Sequence, residues 1–204
     1  MTDRKVAARR ALQQIRMIVF APAALAARVS DQRAIIDADV DRWYQVVAPE
    51  CSRRRALLWF LARYPEFRTL YYYRLRRGNI AGAAVGGLVA LVFRGEPTLH
   101  LASSEIGPGL FIQHGFATIV AARRVGANCW INQQVTIGFD RPDDRPVIGD
   151  GVFVHAGAKV LGNVVIGDGA RIGANAVVLK DVPAGYTAVG APARLLPPKS
   201  QRSG

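Results

Sequence analysis

Two cysteines, Cys51 and Cys129, are too few for a disulfide framework and point to a reducing compartment. No apolar run is long enough to span a bilayer. The strongest, 80–93, is rich in Gly and Ala and falls short of the about 20 residues a span takes. A helix buried against a partner subunit is expected there. A position in a membrane interface is the alternative, because Arg74, Arg76, Arg77 and Arg94 flank the run. Acidic residues are scarce, 15 Asp+Glu against 27 Lys+Arg, for a net charge of +12. The excess is uneven. Residues 1–78 hold sixteen Arg and Lys and seven Asp and Glu, or +9, and the remainder carries +3. Such a field suits a membrane surface or an anionic polymer. No RNA- or DNA-binding motif is present, so no specific nucleic acid binding is expected. With 50% hydrophobic and 21% charged residues, the chain can bury a core and is not of the disordered class.

The segment 1–30 reads as a basic N-terminal arm. Arg4, Lys5, Arg9, Arg10 and Arg16 precede an apolar run over 17–27 that contains Pro22. The charged stretch is long for a secretory signal, so a helix or a loose arm is expected over a targeting peptide. A helical region follows over 31–96. Ser30 is the expected N-cap of a helix over 33–47, stopped by Ala48-Pro49. A second helix is expected over 51–63. A third opens at Pro65-Glu66 and closes at Gly78. Together they suggest a small cap or an oligomerisation element. A polar, flexible tail is expected over 197–204.

Everything else is organised by a period of six. Ile148, Val154, Val160, Ile166, Ile172 and Val178 recur without a slip. Four places after each stands Val152, Ala158, Val164, Ala170, Ala176 or Val182. Three places after each stands Gly151, Gly157, Asn163, Gly169, Asn175 or Asp181, types that tolerate the positive φ of a sharp corner. Neither a 3.6-residue helix nor a two-residue strand alternation gives this period. A solenoid does, with one large and one small inward residue per side. Upstream the register runs through Ile106, Ile112, Ile119, Val125, Ile131 and Ile137, with one extra residue before Ile119. Cys129 takes a small inward position, so packing is its expected role. Between Ile137 and Ile148 a polar insertion, 139–146, is looped out. The solenoid domain is placed at 97–196.

Three runs carry a resemblance: Gly109-Leu110-Phe111-Ile112-Gln113-His114-Gly115, Val177-Val178-Leu179-Lys180-Asp181-Val182-Pro183 and Gly190-Ala191-Pro192-Ala193-Arg194. With the repeat and the insertion they resemble the hexapeptide-repeat acyltransferases, in the serine acetyltransferase-like branch. That branch also holds sugar and capsule O-acetyltransferases. The resemblance covers 99–196. It implies a mainly β fold, a left-handed parallel β-helix of roughly 18 residues per coil, behind the small helical region. It implies a homotrimer, with pairing into a hexamer open, and active sites between adjacent subunits. The cysteine usage leads to the expectation of a cytoplasmic protein, with placement at the membrane surface left open.

The chemistry implied is acetyl transfer from acetyl-CoA, as co-substrate, to an acceptor hydroxyl. A hydroxyl is a poor nucleophile at neutral pH and needs a base within hydrogen-bond reach. A histidine suits that role, and His114 matches the family's catalytic histidine. No activated nucleophile is evident, so direct attack in a ternary complex is expected over an acyl-enzyme. Ala156, Gly157, Ala174, Lys180 and Arg194 match positions along which the family lays CoA. Small residues there admit the pantetheine arm and the cations meet phosphate. His155 either lines that groove or faces solvent. Gln113, Asp144 and Arg145 match positions that orient the base and hold substrate.

Those positions also depart from the serine acetyltransferase pattern. Leu99 stands where an aspartate orients the histidine, Gln113 replaces an aspartate, and Arg145 replaces a second active-site histidine. Glu96 or Glu105 is a candidate replacement acid. On these grounds the expected acceptor is a sugar or glycan hydroxyl in place of free L-serine. Serine O-acetylation in cysteine biosynthesis is the alternative within the class. A non-catalytic trimeric scaffold is the alternative outside it. A carbonic-anhydrase-type zinc site from His100, His114 and His155 does not fit the repeat, and no metal is expected.

Overall fold

The six-residue period becomes a stack of two- and three-residue parallel strands on three faces. The computed structural model describes residues 20–198. It divides into two compact units, the first ending at Gly95 and the second beginning at Glu96. The basic stretch before residue 20 and the end of the tail lie outside the described residues.

In the second unit, face I holds β1 (Leu99–Leu101), β4 (Thr118–Val120), β7 (Thr136–Gly138), β10 (Lys159–Leu161) and β13 (Val177–Val178). Face II holds β2 (Glu105–Ile106), β5 (Arg124–Val125), β8 (Val147–Ile148) and β11 (Val165–Ile166). Face III holds β3 (Phe111–Ile112), β6 (Trp130–Ile131), β9 (Phe153–Val154), β12 (Arg171–Ile172) and β14 (Thr187–Val189). The chain visits the faces in the order I, II, III and pairs each strand with its counterpart one coil on. Val147 pairs with Val165, Phe153 with Arg171 and Lys159 with Val177, 18 residues apart in each case. The result is a left-handed parallel β-helix. Its last strand, β15 (Arg194–Leu196), reverses and pairs antiparallel with β14.

The core follows the period. Ile148, Val154, Val160, Ile166, Ile172 and Val178 are each 2% exposed or less. The small set from Val152 to Val182 is buried as well, and Cys129 is fully buried in the place expected for it. Burial pushes the Cys129 thiol up to about 11, so it stays protonated at neutral pH.

The structure corrects the register at one strand and the corner residue at two turns. Ile119 is 42% exposed, and Val120 is the inward residue of its strand, pairing with Leu101 and Ile137. The turn after Ile112 takes two extra residues and the turn after Val120 is one residue short, which nets the single extra residue and restores the expected register by Val125. At the corner after β10 the left-handed residue is Gly162, with φ +84°, and not Asn163. Asp181 also lacks a positive φ. Its carboxylate accepts the Val165 N–H at 2.8 Å and holds the corner by a side-chain bond.

The first unit holds α1 (Ala21–Val29), α2 (Arg33–Val47), α3 (Arg53–Arg63), α4 (Pro65–Arg77) and α5 (Ile80–Val92). Part of the segment read as an arm is therefore the helix α1, whose Ala23 carbonyl accepts the Tyr71 hydroxyl at 2.6 Å. Ser30 is not the N-cap of α2. It ends α1, and its hydroxyl accepts the Gln32 N–H at 3.1 Å, which delays the next helix to Arg33. Trp43, Phe60 and Phe67 form the centre, with ring centroids 5.8 and 5.0 Å from Trp43. Beside them Arg74 and Asp39 pair at 2.9 Å, each side chain 3% exposed. Among the described residues, no helix is long and apolar enough to cross a membrane.

Candidate active site

The turns from face III to face I stack into one edge of the prism. Gln134 N–H donates to Phe116 O at 3.0 Å, Gly157 N–H to Gln133 O at 3.1 Å and Asn175 N–H to Ala156 O at 2.9 Å. His114, Ala156, Gly157 and Ala174 therefore share this edge, with His114 at its first coil. Arg194 joins at the far end, where Ala193 N–H donates to Val177 O at 2.8 Å.

The His114 turn is strained. His114 has φ +66° and Ala117 φ +51°, with Gly115 at +54° between them. Non-glycine residues pay for that conformation, and such strain concentrates at functional sites. Further contacts hold the turn. Phe116 N–H donates to His114 O at 2.7 Å, and Ala117 N–H donates to the Thr98 hydroxyl at 2.9 Å. The Thr98 hydroxyl in turn donates to Glu96 Oε1 at 2.7 Å. His114 itself is exposed, and the neighbouring Gln113 is half-buried.

Of the two candidate replacement acids, Glu96 thus belongs to the network that braces the His114 turn. Glu105 lies on face II, 3.9 Å from Arg124. Leu99 is 4% exposed and packs in the core, so it offers nothing polar to an imidazole.

Asp144 and Arg145 stand elsewhere. The insertion 139–146 leaves the edge between faces I and II. Arg145 is folded back into it, donating to Ala102 O and Pro142 O, each at 3.2 Å. Its guanidinium lies 4.1 Å from the Phe139 ring centroid. The arginine therefore clasps the loop to the first coil. Lys180 is exposed on the same edge, at the turn after β13. One chain thus carries His114, Gln113, Ala156, Gly157, Ala174 and Arg194 on one edge and Asp144, Arg145 and Lys180 on another.

His155 lies on the His114 edge, at the end of an outward ladder on face III. Phe111 meets Trp130 edge to face at 4.6 Å, Trp130 stacks on Phe153 at 4.8 Å, and Phe153 on His155 at 4.3 Å. Arg171 Nη2 lies 3.4 Å from His155 Nε2. Burial, and then the Arg171 charge, hold the imidazole pKa below its ordinary 6.5, so it is neutral at pH 7.

Gly157 has a packing reason of its own. Its φ is +74°, and an added Cβ would run into the Asn175 carboxamide. Sequence reasoning missed Asn132, Gln133 and Gln134, which fill the edge between His114 and Ala156. The signal was available as the place one coil after His114, but unequal turns hide that spacing. The Trp130 indole N–H donates to Asn132 Oδ1 at 2.7 Å and the Lys159 ammonium to Gln134 O at 2.7 Å. Among the described residues, no group of three or more His, Cys, Asp or Glu could hold a metal ion.

Comparison with known proteins places this geometry. The bacterial transferase hexapeptide family (six repeats) matches residues 145–180. A serine acetyltransferase of Helicobacter pylori is 39% identical over 146 residues, 67% of this chain and 84% of that one. A serine acetyltransferase of Synechocystis is 48% identical over 103 residues, 48% of this chain and 41% of that protein. The chain spans less than half the length of that relative and of the Staphylococcus xylosus serine acetyltransferase, at 41% and 49%. Among solved structures, Neisseria gonorrhoeae serine acetyltransferase in complex with serine superposes with a TM-score of 0.62 at 30% identity. The match covers 87% of this chain and 74% of that one. Soybean serine acetyltransferase gives 0.57 at 34% identity, over 81% and 69%.

Proposed function

We propose, for a chain that belongs to the hexapeptide-repeat transferases and within them to the serine acetyltransferase family, that it moves acetyl from acetyl-CoA to an acceptor hydroxyl. His114 is the general base. The observation that carries this reading is the strained, exposed His114 turn at the head of an edge whose lower rungs are Ala156, Gly157 and Ala174. The imidazole takes the hydroxyl proton as oxygen attacks the thioester carbonyl carbon. The carbon–sulfur bond then breaks, and the same proton passes to the departing CoA thiolate. The buried Cys129 thiol supports direct transfer, since it is protonated and closed to substrate.

Ala156 and Ala174 on the lower rungs leave the backbone open to the pantetheine arm, and Arg194 meets phosphate at the far end. The division of candidate residues between two edges supports a homotrimer. A three-fold arrangement that sets one copy's Asp144, Arg145 and Lys180 edge against the next copy's His114 edge completes a site between subunits.

Two acceptors compete. L-Serine is favoured by the relatives, which are serine acetyltransferases. A glycan hydroxyl is favoured by the residues at the departing positions, with Leu99 in the core and the Arg145 guanidinium engaged by backbone carbonyls. The serine reading fits at least as well, because the glycan reading rests on those departures alone. The test is thiol release from acetyl-CoA with L-serine, free sugars, and nucleotide- and lipid-linked glycans, on wild type beside His114→Asn. Acceptor-dependent release that the variant abolishes establishes the class and the base, and the acceptor giving the highest kcat/KM decides between the two. If no acceptor supports release and CoA does not bind, the scaffold reading replaces catalysis.

A further inference from the structure

Helix α5 is built inside out for a protein in water. None of its thirteen residues is polar. The side turned to the protein is made of Gly82, Gly86 and Val89, the two glycines allowing close approach. An added Cβ on Gly82 would meet Ser30 Cβ at 2.8 Å, and one on Gly86 would meet Leu75 Cδ1 at 2.6 Å. The side turned outward holds the large ones: Ile80 at 88% exposed, Leu88 at 67%, Leu91 at 75% and Val92 at 73%. Positions 80, 84, 88 and 91 follow one helical face. Leu25 and Val29 of α1, 54% and 45% exposed, extend the apolar surface of this helical pair. A monomer in water rarely exposes such a surface without a use for it.

We propose that this face seats the helical unit on the interface of an anionic bilayer, with α5 lying in the plane of the membrane. At thirteen residues α5 is too short to span and long enough to lie along the headgroup boundary. Its charge surroundings fit that occupant. Arg76 and Arg77 precede the helix, Arg94 follows it, and Arg28 stands between Leu25 and Val29, all four exposed. Neither α1 nor α5 contains an acidic residue, and Asp31, next to α1 in the sequence, accepts the Asn79 N–H at 2.9 Å. Apolar centre and arginine border match acyl chains and lipid phosphate. A two-fold copy matches poorly, because that interface would bring the same arginines together from both sides without acidic partners, and a three-fold copy on this face is an outcome of the test.

Flotation of the full chain with phosphatidylcholine vesicles, with and without phosphatidylglycerol, tests this. Wild type is expected to float with the anionic vesicles and to lose binding as salt is added. Leu88→Glu with Leu91→Glu is expected to lower partition by roughly tenfold or more, since two exposed apolar contacts are lost. Both sites are exposed, so the thermal midpoint should hold. Arg76→Glu with Arg94→Glu, which spares the apolar face, should lower binding to anionic vesicles alone. The proposal is overturned if wild type binds neither vesicle, or if the leucine variant floats as wild type does. It is also overturned if, without lipid, the leucine variant sediments as a smaller assembly than wild type, because the face then belongs to another copy.

Discussion

The carboxamide oxygen of Asn175 occupies the space that a Cβ on Gly157 would need. Asn175 is itself in the left-handed region at φ +56°, and its N–H donates to Ala156 O. The two corners are thus matched, and each limits what the other can be. Gly157→Ala is expected to cost roughly 2 to 4 kcal/mol, from its positive φ and from the collision. Chemical denaturation of the variant beside wild type checks this.

His114 can be tested without disturbing its turn. Asparagine tolerates the left-handed region better than alanine does. His114→Asn should lower kcat/KM by roughly 10² to 10⁴-fold with little change in thermal midpoint. His114→Ala should lose similar activity and about 1 kcal/mol of stability besides. Equal activity in wild type and His114→Asn would remove His114 from the reaction.

Acid should weaken the fold through His155. Its folded-state pKa lies below the ordinary 6.5, so the unfolded chain binds more protons between the two values. Stability therefore falls as pH drops below about 6.5 and levels off beneath the folded-state value. Thermal midpoints measured from pH 7.5 down to about 5 should show the decline in wild type and a flatter profile in His155→Gln.

In the helical unit, Asp39→Ala leaves Arg74 buried without its partner carboxylate and should cost about 3 to 5 kcal/mol. Replacing both, as Asp39→Leu with Arg74→Met, should recover much of that loss, because neither charge of the pair then stays buried. Urea unfolding of the two variants gives the comparison.

The Arg145 clasp predicts a local effect. Arg145→Ala removes two bonds to backbone carbonyls and the contact with Phe139. Limited proteolysis should then cut within 139–146 faster than in wild type, while global stability falls by only about 1 kcal/mol.

The solenoid was legible where each side of the prism took six residues. From Ile148 to Val178 the large and small positions all agree, and the corners agree at Gly151, Gly157, Gly169 and Asn175. It was misread at Ile119, because a long turn and a short turn compensate and leave the period looking intact beyond them. The helix over 65–77 was legible through Pro65 and Gly78. Ser30 misled because a hydroxyl can bond its own turn as readily as a helix end. Of the candidate site, His114, Ala156 and Ala174 were all named through the family resemblance, and the turns that carry them stack on one edge. The fold-back of Arg145 was not readable, since it depends on the Ala102 carbonyl, forty-three residues away in the chain.

A stack of parallel strands ends, in principle, with a rung ready to accept another. Here β15 turns against β14, while Gly190 O accepts Val177 N–H and Ala193 N–H donates to Val177 O. The last rung on faces I and III is therefore spent within the chain. Growth by adding one prism to the end of another is blocked there, and association is steered to the sides of the prism. The side edges are where the candidate residues stand.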